Sequence, residues 1–245
     1  SLPAVFENIL QTSVGFVDSV LIAKISLVAV SAVSLVNGVM AVYQAVFIAL
    51  AVAVATVVSN AAGARASKAV SENVRQSIAL SLMVGVILSI LSLVLAHPIL
   101  RAMGASGDIL QQGIIFFRVI AGTSVLIVLM TVLGQLIRTA GQTRTPLTIN
   151  LIVNILNFCL DFILIFGLFG FPRLGILGAG IGTALSRLIG VGLLFHKLQQ
   201  TSHRLQGPIF SRDQHIFKTE IVKRALPIMG ERLMMRLGDI VICVI

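Results

Sequence analysis

Polar residues along this chain come in short clusters. Between them run long stretches of Leu, Ile, Val, Ala and Phe that show neither the two-residue alternation of a strand nor a broad polar face opposite an apolar one. Windows such as Gln76 to Leu100 and Val119 to Ile137 carry no Asp, Glu, Lys or Arg. Each is close to the ~20 residues that carry a helix across a ~30 Å hydrocarbon core. A membrane β-barrel would instead show alternating segments of about ten residues. Breakers and polar clusters divide the pattern into seven helical segments, at 2–23, 34–60, 76–97, 112–137, 147–169, 176–197 and 222–245. The connections are short except for 198–221, "LQQTSHRLQGPIFSRDQHIFKTEI". The expected organisation is an all-α integral membrane protein. It has a six-helix transmembrane lobe over 1–197, a cytoplasmic linker over 198–221, and the first helix of a second lobe over 222–245.

Composition agrees with that reading. Of the 245 residues, 57% are hydrophobic and 11% charged, and the mean hydropathy of +1.05 lies far from that of a soluble domain. The net charge of +9 follows topology rather than a nucleic-acid partner. If the first segment runs outward from the cytoplasm, eleven Lys and Arg fall in the loops on the cytoplasmic side, against Lys24, Arg101 and Arg173 on the other. This positive-inside bias predicts a multi-pass protein of the cell (plasma or inner) membrane with a cytoplasmic amino terminus. Cys159 and Cys243 lie in apolar runs without metal or disulfide spacing and are expected to be packing residues. The four histidines sit at segment ends or in the linker, where solvation is expected.

The chain also repeats itself. "SLPAVFENIL" at 1–10 and "ALPIMGERLM" at 225–234 share Leu-Pro, three residues, then Glu, at an offset of 224 residues. The second copy falls after six segments and the long linker, as expected for two parallel six-helix halves related by an axis along the membrane normal. The opening at Ser1, inside an apolar run, and the stop at Ile245, inside another, suggest a piece of a longer chain whose remaining carboxyl-terminal lobe would be its partner. Pro3 and Pro227 are candidate helix-bending points, or first-turn prolines of little cost.

The residues that invite a chemical reading are polar ones inside apolar runs. In the fifth segment Asn150, Asn154, Asn157 and Asp161 project within about 60° of one another at 100° per residue. Glu7, Gln11 and Asp18 likewise share one face of the first segment. Counting from the outer ends at about 1.5 Å per residue puts Asp18, Asp161 and Thr183 at similar depth, with Asn157 one turn inward of Asp161. An acid at membrane depth costs about 2.5–3.5 kcal/mol on insertion scales, so it rarely persists without a role. Burial and a second carboxylate nearby both favour the neutral acid over its anion, which is the condition for a reversible proton site. The same carboxylate, amide and hydroxyl oxygens also suit a hard cation such as sodium. A different role for Asn and Asp is to tie helices together by hydrogen bonds.

Arg187, one turn inward of Thr183, is a candidate for lining a cavity or neutralising an acid. Arg118 is expected to snorkel from the outer end of the fourth segment. Gln44 in the second segment and Asn154 in the fifth are candidate cavity residues. GxSxG, HExxH and P-loop motifs are absent, as is metal-type Cys/His spacing. A non-enzyme is therefore expected, with no cofactor and no metal beyond a possible coupling Na+.

In order along the chain, "LPAVFENIL", "GFVDSVLIAKI", "VVSNAAGAR", "LIRTAGQTRTPL", "NILNFCLDFILIFG", "GILGAGIGTALSR" and "LPIMGERL" resemble the amino-terminal half and seventh helix of a MATE (multidrug and toxic compound extrusion) transporter. The resemblance implies alternating access and export of amphipathic, often cationic, drugs by antiport with H+ or Na+. It places the family's amino-lobe cation site on Asp18, Asn157, Asp161 and Thr183. The Asn-x-x-x-Asp spacing looks more like the DinF-like branch than the NorM-like one. Two departures stand out. Gln142 replaces an acid in "GQTRTP", and Met235 stands near the place of the NorM-like seventh-helix glutamate. The alternative function is a flippase for lipid-linked precursors in the same superfamily, which would call for basic cavity residues, with Arg118 and Arg187 the candidates.

Overall fold

The computed structural model describes residues 26–170, 172–203 and 227. Pro3, Glu7, Gln11 and Asp18 lie outside the described residues, as do the linker beyond His203 and the seventh segment apart from Pro227, which is helical and exposed. The helices are α1 (Leu27–Gly63), α2 (Ser67–Ala102), α3 (Gly107–Gly122), α4 (Ser124–Thr139), α5 (Arg144–Phe166) and α6 (Ile176–Gln199), with one 3-10 turn at Leu168–Gly170. Among the described residues there is no strand. Helices α1, α2, α5 and α6 are each long and apolar enough to cross a membrane, and α3 with α4 makes a fifth span if the pair is taken as one. At 37 residues, α1 is about 55 Å long and outruns a ~30 Å hydrocarbon core. The protein is thus an all-helical, multi-pass membrane protein, and α1 and α2 run well beyond the segments 34–60 and 76–97 expected for them.

The fourth segment departs from expectation. It begins earlier, at Gly107, and breaks at Thr123, where α3 and α4 meet at 41°. The local chemistry accounts for the break. The Thr123 hydroxyl lies 2.9 Å from the Val119 carbonyl and 3.0 Å from that of Ile120, and Ser124 donates to Ala121 at 2.6 Å. These hydroxyls take carbonyls that a continuous helix would bond through its backbone, so the Gly122-Thr123-Ser124 step stays tolerable in an apolar setting.

Three helices end alike. After α2, Gly104 N–H donates to Arg101 and Ala105 N–H to Leu100; after α4, Gly141 donates to Arg138 and Gln142 to Ile137. After α1 the same pair runs from Arg65 to Ala62 and from Ala66 to Ala61. This is the Schellman arrangement, whose turning residue is left-handed and usually glycine. Gly104 and Gly141 supply it at φ 88° and 89°, but after α1 the turning residue is Arg65, at φ 53°.

The chain gathers into two compact units. Among the described residues the first comprises 26–39, Val86–Leu126 and Leu147–Gly190, and the second Met40–Gly85, Ile127–Pro146 and 191–203. In the first, small residues bring helices together. A Cβ on Gly180 would sit 3.1 Å from Val119, one on Gly113 3.3 Å from Leu100, and one on Gly178 2.8 Å from the Leu164 backbone. Close packing by small residues is how membrane helices gain contact when lipid is as apolar as their side chains. In the second, Phe47, Val54, Val58, Leu133, Leu136, Ile137, Leu194 and Leu198 form a fully buried core. Here the hydroxyls of Ser77 and Ser81, both fully buried, donate to the carbonyls of Asn73 and Ser77 at 2.6 and 2.7 Å. Each buried hydroxyl is thereby satisfied within its own helix.

Candidate functional site

Helix α5 turns its polar stripe inward. Ile149, Val153, Asn157, Asp161 and Leu164 are buried, whereas Ile152, Ile155, Phe158 and Phe162 are exposed. This is the reverse of a soluble amphipathic helix and the pattern expected where the outer surface meets lipid. Cys159 lies on that outer face, exposed rather than packed in the core as expected. The reason is physical: against lipid, an apolar neighbourhood does not tell inside from outside.

On the inward face Asp161 is 2% exposed and Asn157 7%. Asn157 Nδ2 donates to Thr183 Oγ1 on α6 at 3.2 Å, and Thr183 Oγ1 donates to the Ala179 carbonyl at 2.8 Å. The second bond fixes the sense of the first. A hydroxyl has one proton, Thr183 commits it to Ala179, and it can therefore only accept from Asn157. The amide nitrogen of Asn157 faces Thr183, and its carbonyl oxygen is left as an acceptor on the other side. Thr183 retains one further lone pair.

Glycine makes room for the acid. A methyl group built on Gly182 would run into the Asp161 carboxylate and come within 3.1 Å of the Asp161 backbone nitrogen. Gly178 and Gly182 stand one turn apart on α6, so the helix lies directly against α5 over the stretch that carries Asp161. Neither glycine was singled out by the sequence reading, although the Gly-x-x-x-Gly spacing in "GAGIG" is a visible signal of close helix approach. The Ala179 carbonyl left no signal, being a backbone group.

The structure therefore brings three of the candidate residues together: Asn157 bonds Thr183, and Asp161 lies one turn along α5 from Asn157, against Gly182. The fourth, Asp18, lies outside the described residues. Arg187 is half-buried one turn beyond Thr183, and Asn154 is half-buried on α5. Gln44 is exposed on α1, and Arg118 is exposed on α3. His203, expected to be solvated, is instead 4% exposed, whereas His97 and His196 are exposed as expected. Its Nδ1 lies 3.3 Å from both the Leu136 carbonyl and Thr139 Oγ1, so the end of α4 buries the ring.

An all-helical membrane protein that holds a buried acid and amide beside a half-buried hydroxyl between two spanning helices has the architecture of a transporter lobe. Comparison with known proteins gives the family. A family model described as MatE matches residues 3–163. The probable multidrug resistance protein NorM of Thermotoga maritima is 37% identical over 194 residues, covering 79% of this chain and 42% of that one. A crystal structure of a MATE protein in the bent conformation superposes with a TM-score of 0.87 at 26% identity, covering 98% of this chain and 53% of that one. An inward-facing multidrug resistance MATE transporter of the MOP superfamily gives 0.82 at 25% identity, covering 93% of this chain and 51% of that one. The chain belongs to the MATE transporter family. It spans about half or less of the length of the relatives it matches.

Proposed function

We propose that this chain forms the amino-terminal lobe of a secondary active multidrug exporter, in which inward movement of H+ or Na+ through the Asp161 site drives release of amphipathic or cationic compounds. The observation that carries the reading is the burial of Asp161 between α5 and α6 beside the Asn157–Thr183 pair. Asp161, the Asn157 carbonyl oxygen and Thr183 Oγ1 are hard oxygen ligands suited to a proton or to sodium. Asp18 completes the proposed set, and Gln44, Asn154 and Arg187 are the proposed cavity residues.

Coupling requires that the ion favour one access state over the other. A buried carboxylate meets that requirement, because its anion is costly where water is excluded and loses that cost when a cation binds. An empty site and a filled site therefore favour different degrees of hydration, hence different openings of the lobe. The multidrug names of the relatives support drug-like cargo. The Asn157-to-Asp161 spacing is the feature that favours the DinF-like branch.

The test is Asp161→Asn in the full-length transporter, with ethidium efflux followed by fluorescence and membrane insertion by quantitative blotting. The expected outcome is loss of efflux with insertion intact. Efflux equal to the unaltered protein would remove Asp161 from the coupling site.

A further inference from the structure

In the second unit, where α1 turns into α2, lies a cavity of about 360 Å³ lined by Arg65, Ser67, Lys68, Ser71, Ser202 and His203 among others. None of its nine described lining residues is acidic. We propose that this cavity binds a phosphate group, carried either by an anionic lipid headgroup at the membrane surface or free in solution.

Its chemistry is that of an anion site. Two permanent cations and three serine hydroxyls offer charge-assisted and neutral donors, and Arg presents a planar fork that matches phosphate oxygens. The start of α2 at Ser67 adds first-turn N–H groups. Val70 N–H is taken by the Ala66 carbonyl, whereas those of Lys68 and Ala69 have no backbone acceptor among the described residues.

Two observations independent of the helix start point to a ligand. The first is His203, more than nine-tenths buried yet lining the cavity. The Thr139 hydroxyl donates to the Leu136 carbonyl at 2.8 Å. It therefore has no proton to give the ring, and His203 Nδ1 must be the donor toward Leu136 and Thr139. Nε2 makes no hydrogen bond to any described residue. With the ring proton on Nδ1, Nε2 carries a lone pair, which accepts from a phosphate P–OH or from a headgroup hydroxyl. The second is Arg65. The equivalent turning positions after α2 and α4 are Gly104 and Gly141, and only after α1 does a long cationic side chain occupy the left-handed position. That choice costs conformational energy that glycine avoids, and it sets a guanidinium at the cavity.

The experiment uses the purified full-length transporter in detergent. Native mass spectrometry compares retention of phosphatidylglycerol with that of phosphatidylcholine of the same acyl chains, and a second arm adds inorganic phosphate as competitor while following thermal unfolding. A near-surface cation contributes about fivefold to anionic-lipid affinity. Arg65→Gly and Lys68→Gln are each expected to lower phosphatidylglycerol retention by about that factor. Lys197→Gln, an exposed cation on α6 outside the cavity, is expected to leave it unchanged. Because glycine is the residue this turn accepts most readily, loss in Arg65→Gly reports the side chain and not a damaged fold. Lipid preference that persists against phosphate assigns the site to a headgroup. Stabilisation by inorganic phosphate without lipid preference, lost in Arg65→Gly, assigns it to the free anion. Response to neither probe overturns the proposal, as does full retention in both cavity variants or an equal loss in Lys197→Gln.

Discussion

The first unit keeps a carboxylate, Asp161, 2% exposed and pressed against Gly182, whereas the second sets Arg65 and Lys68 in the open beside three serines. The two regions handle charge in opposite ways. A buried acid surrounded by apolar helices holds its charge conditionally, since a bound proton or cation removes the penalty of the anion. A solvated guanidinium or ammonium holds its charge permanently, at little cost, and is useful for retaining an anion rather than for responding to one. Coupling is therefore to be sought at the hidden carboxylate of Asp161 and not at the displayed cations Arg65 and Lys68.

Substitutions that break this contrast should differ in size in a definite order. The largest stability effect is expected from Gly178→Ala, because the added methyl meets the Leu164 backbone at 2.8 Å and backbone cannot rotate away. A loss of about 2–3 kcal/mol, at the upper end for overpacking, would appear as a lowered unfolding temperature of the purified protein. Gly182→Ala is expected to cost about 1–2 kcal/mol, because its nearest obstacle is a side chain that can turn. That turning moves the Asp161 carboxylate, so transport should fall more than stability does, and parallel efflux and unfolding measurements separate the two.

Thr183→Val removes the acceptor for Asn157 and leaves the buried Nδ2 unbonded. A penalty of about 1 kcal/mol follows, and Thr183→Ser should restore both stability and efflux. If Val and Ser behave alike, the hydroxyl is not what orients Asn157. The smallest effect, and the only one of opposite sign, belongs to the second unit. Arg65→Gly relieves a left-handed arginine and should stabilise the protein by about 0.5–1 kcal/mol, read from the same unfolding curves.

Much of this was legible in the sequence, and the exceptions have physical causes. The spans were readable because each apolar window is continuous and long enough for lipid, and the α5 stripe because Asn157 and Asp161 are anomalous in such a window. The break at Thr123 was not, since Gly-Thr-Ser interrupts neither the apolar run nor the charge-free window, and its hydroxyls satisfy the broken helix from within. Cys159 was misread because burial in a membrane protein does not follow hydrophobicity. His203 was misread because its polar neighbours suggested solvent, whereas the carbonyl of Leu136, a distant backbone group, draws it in. The left-handed conformation of Arg65 left no trace, because the turn it occupies is elsewhere marked by glycine.

If Asp161 couples ion movement to drug movement, imposed gradients reveal it. The full-length transporter, reconstituted into proteoliposomes, would be given a pH gradient or a sodium gradient separately while ethidium movement is recorded, with Asp161→Asn measured beside it. At least one gradient is expected to drive transport in the unaltered protein and neither in the variant, although the variant still binds ethidium. A variant whose transport still follows the same gradient would contradict coupling at Asp161.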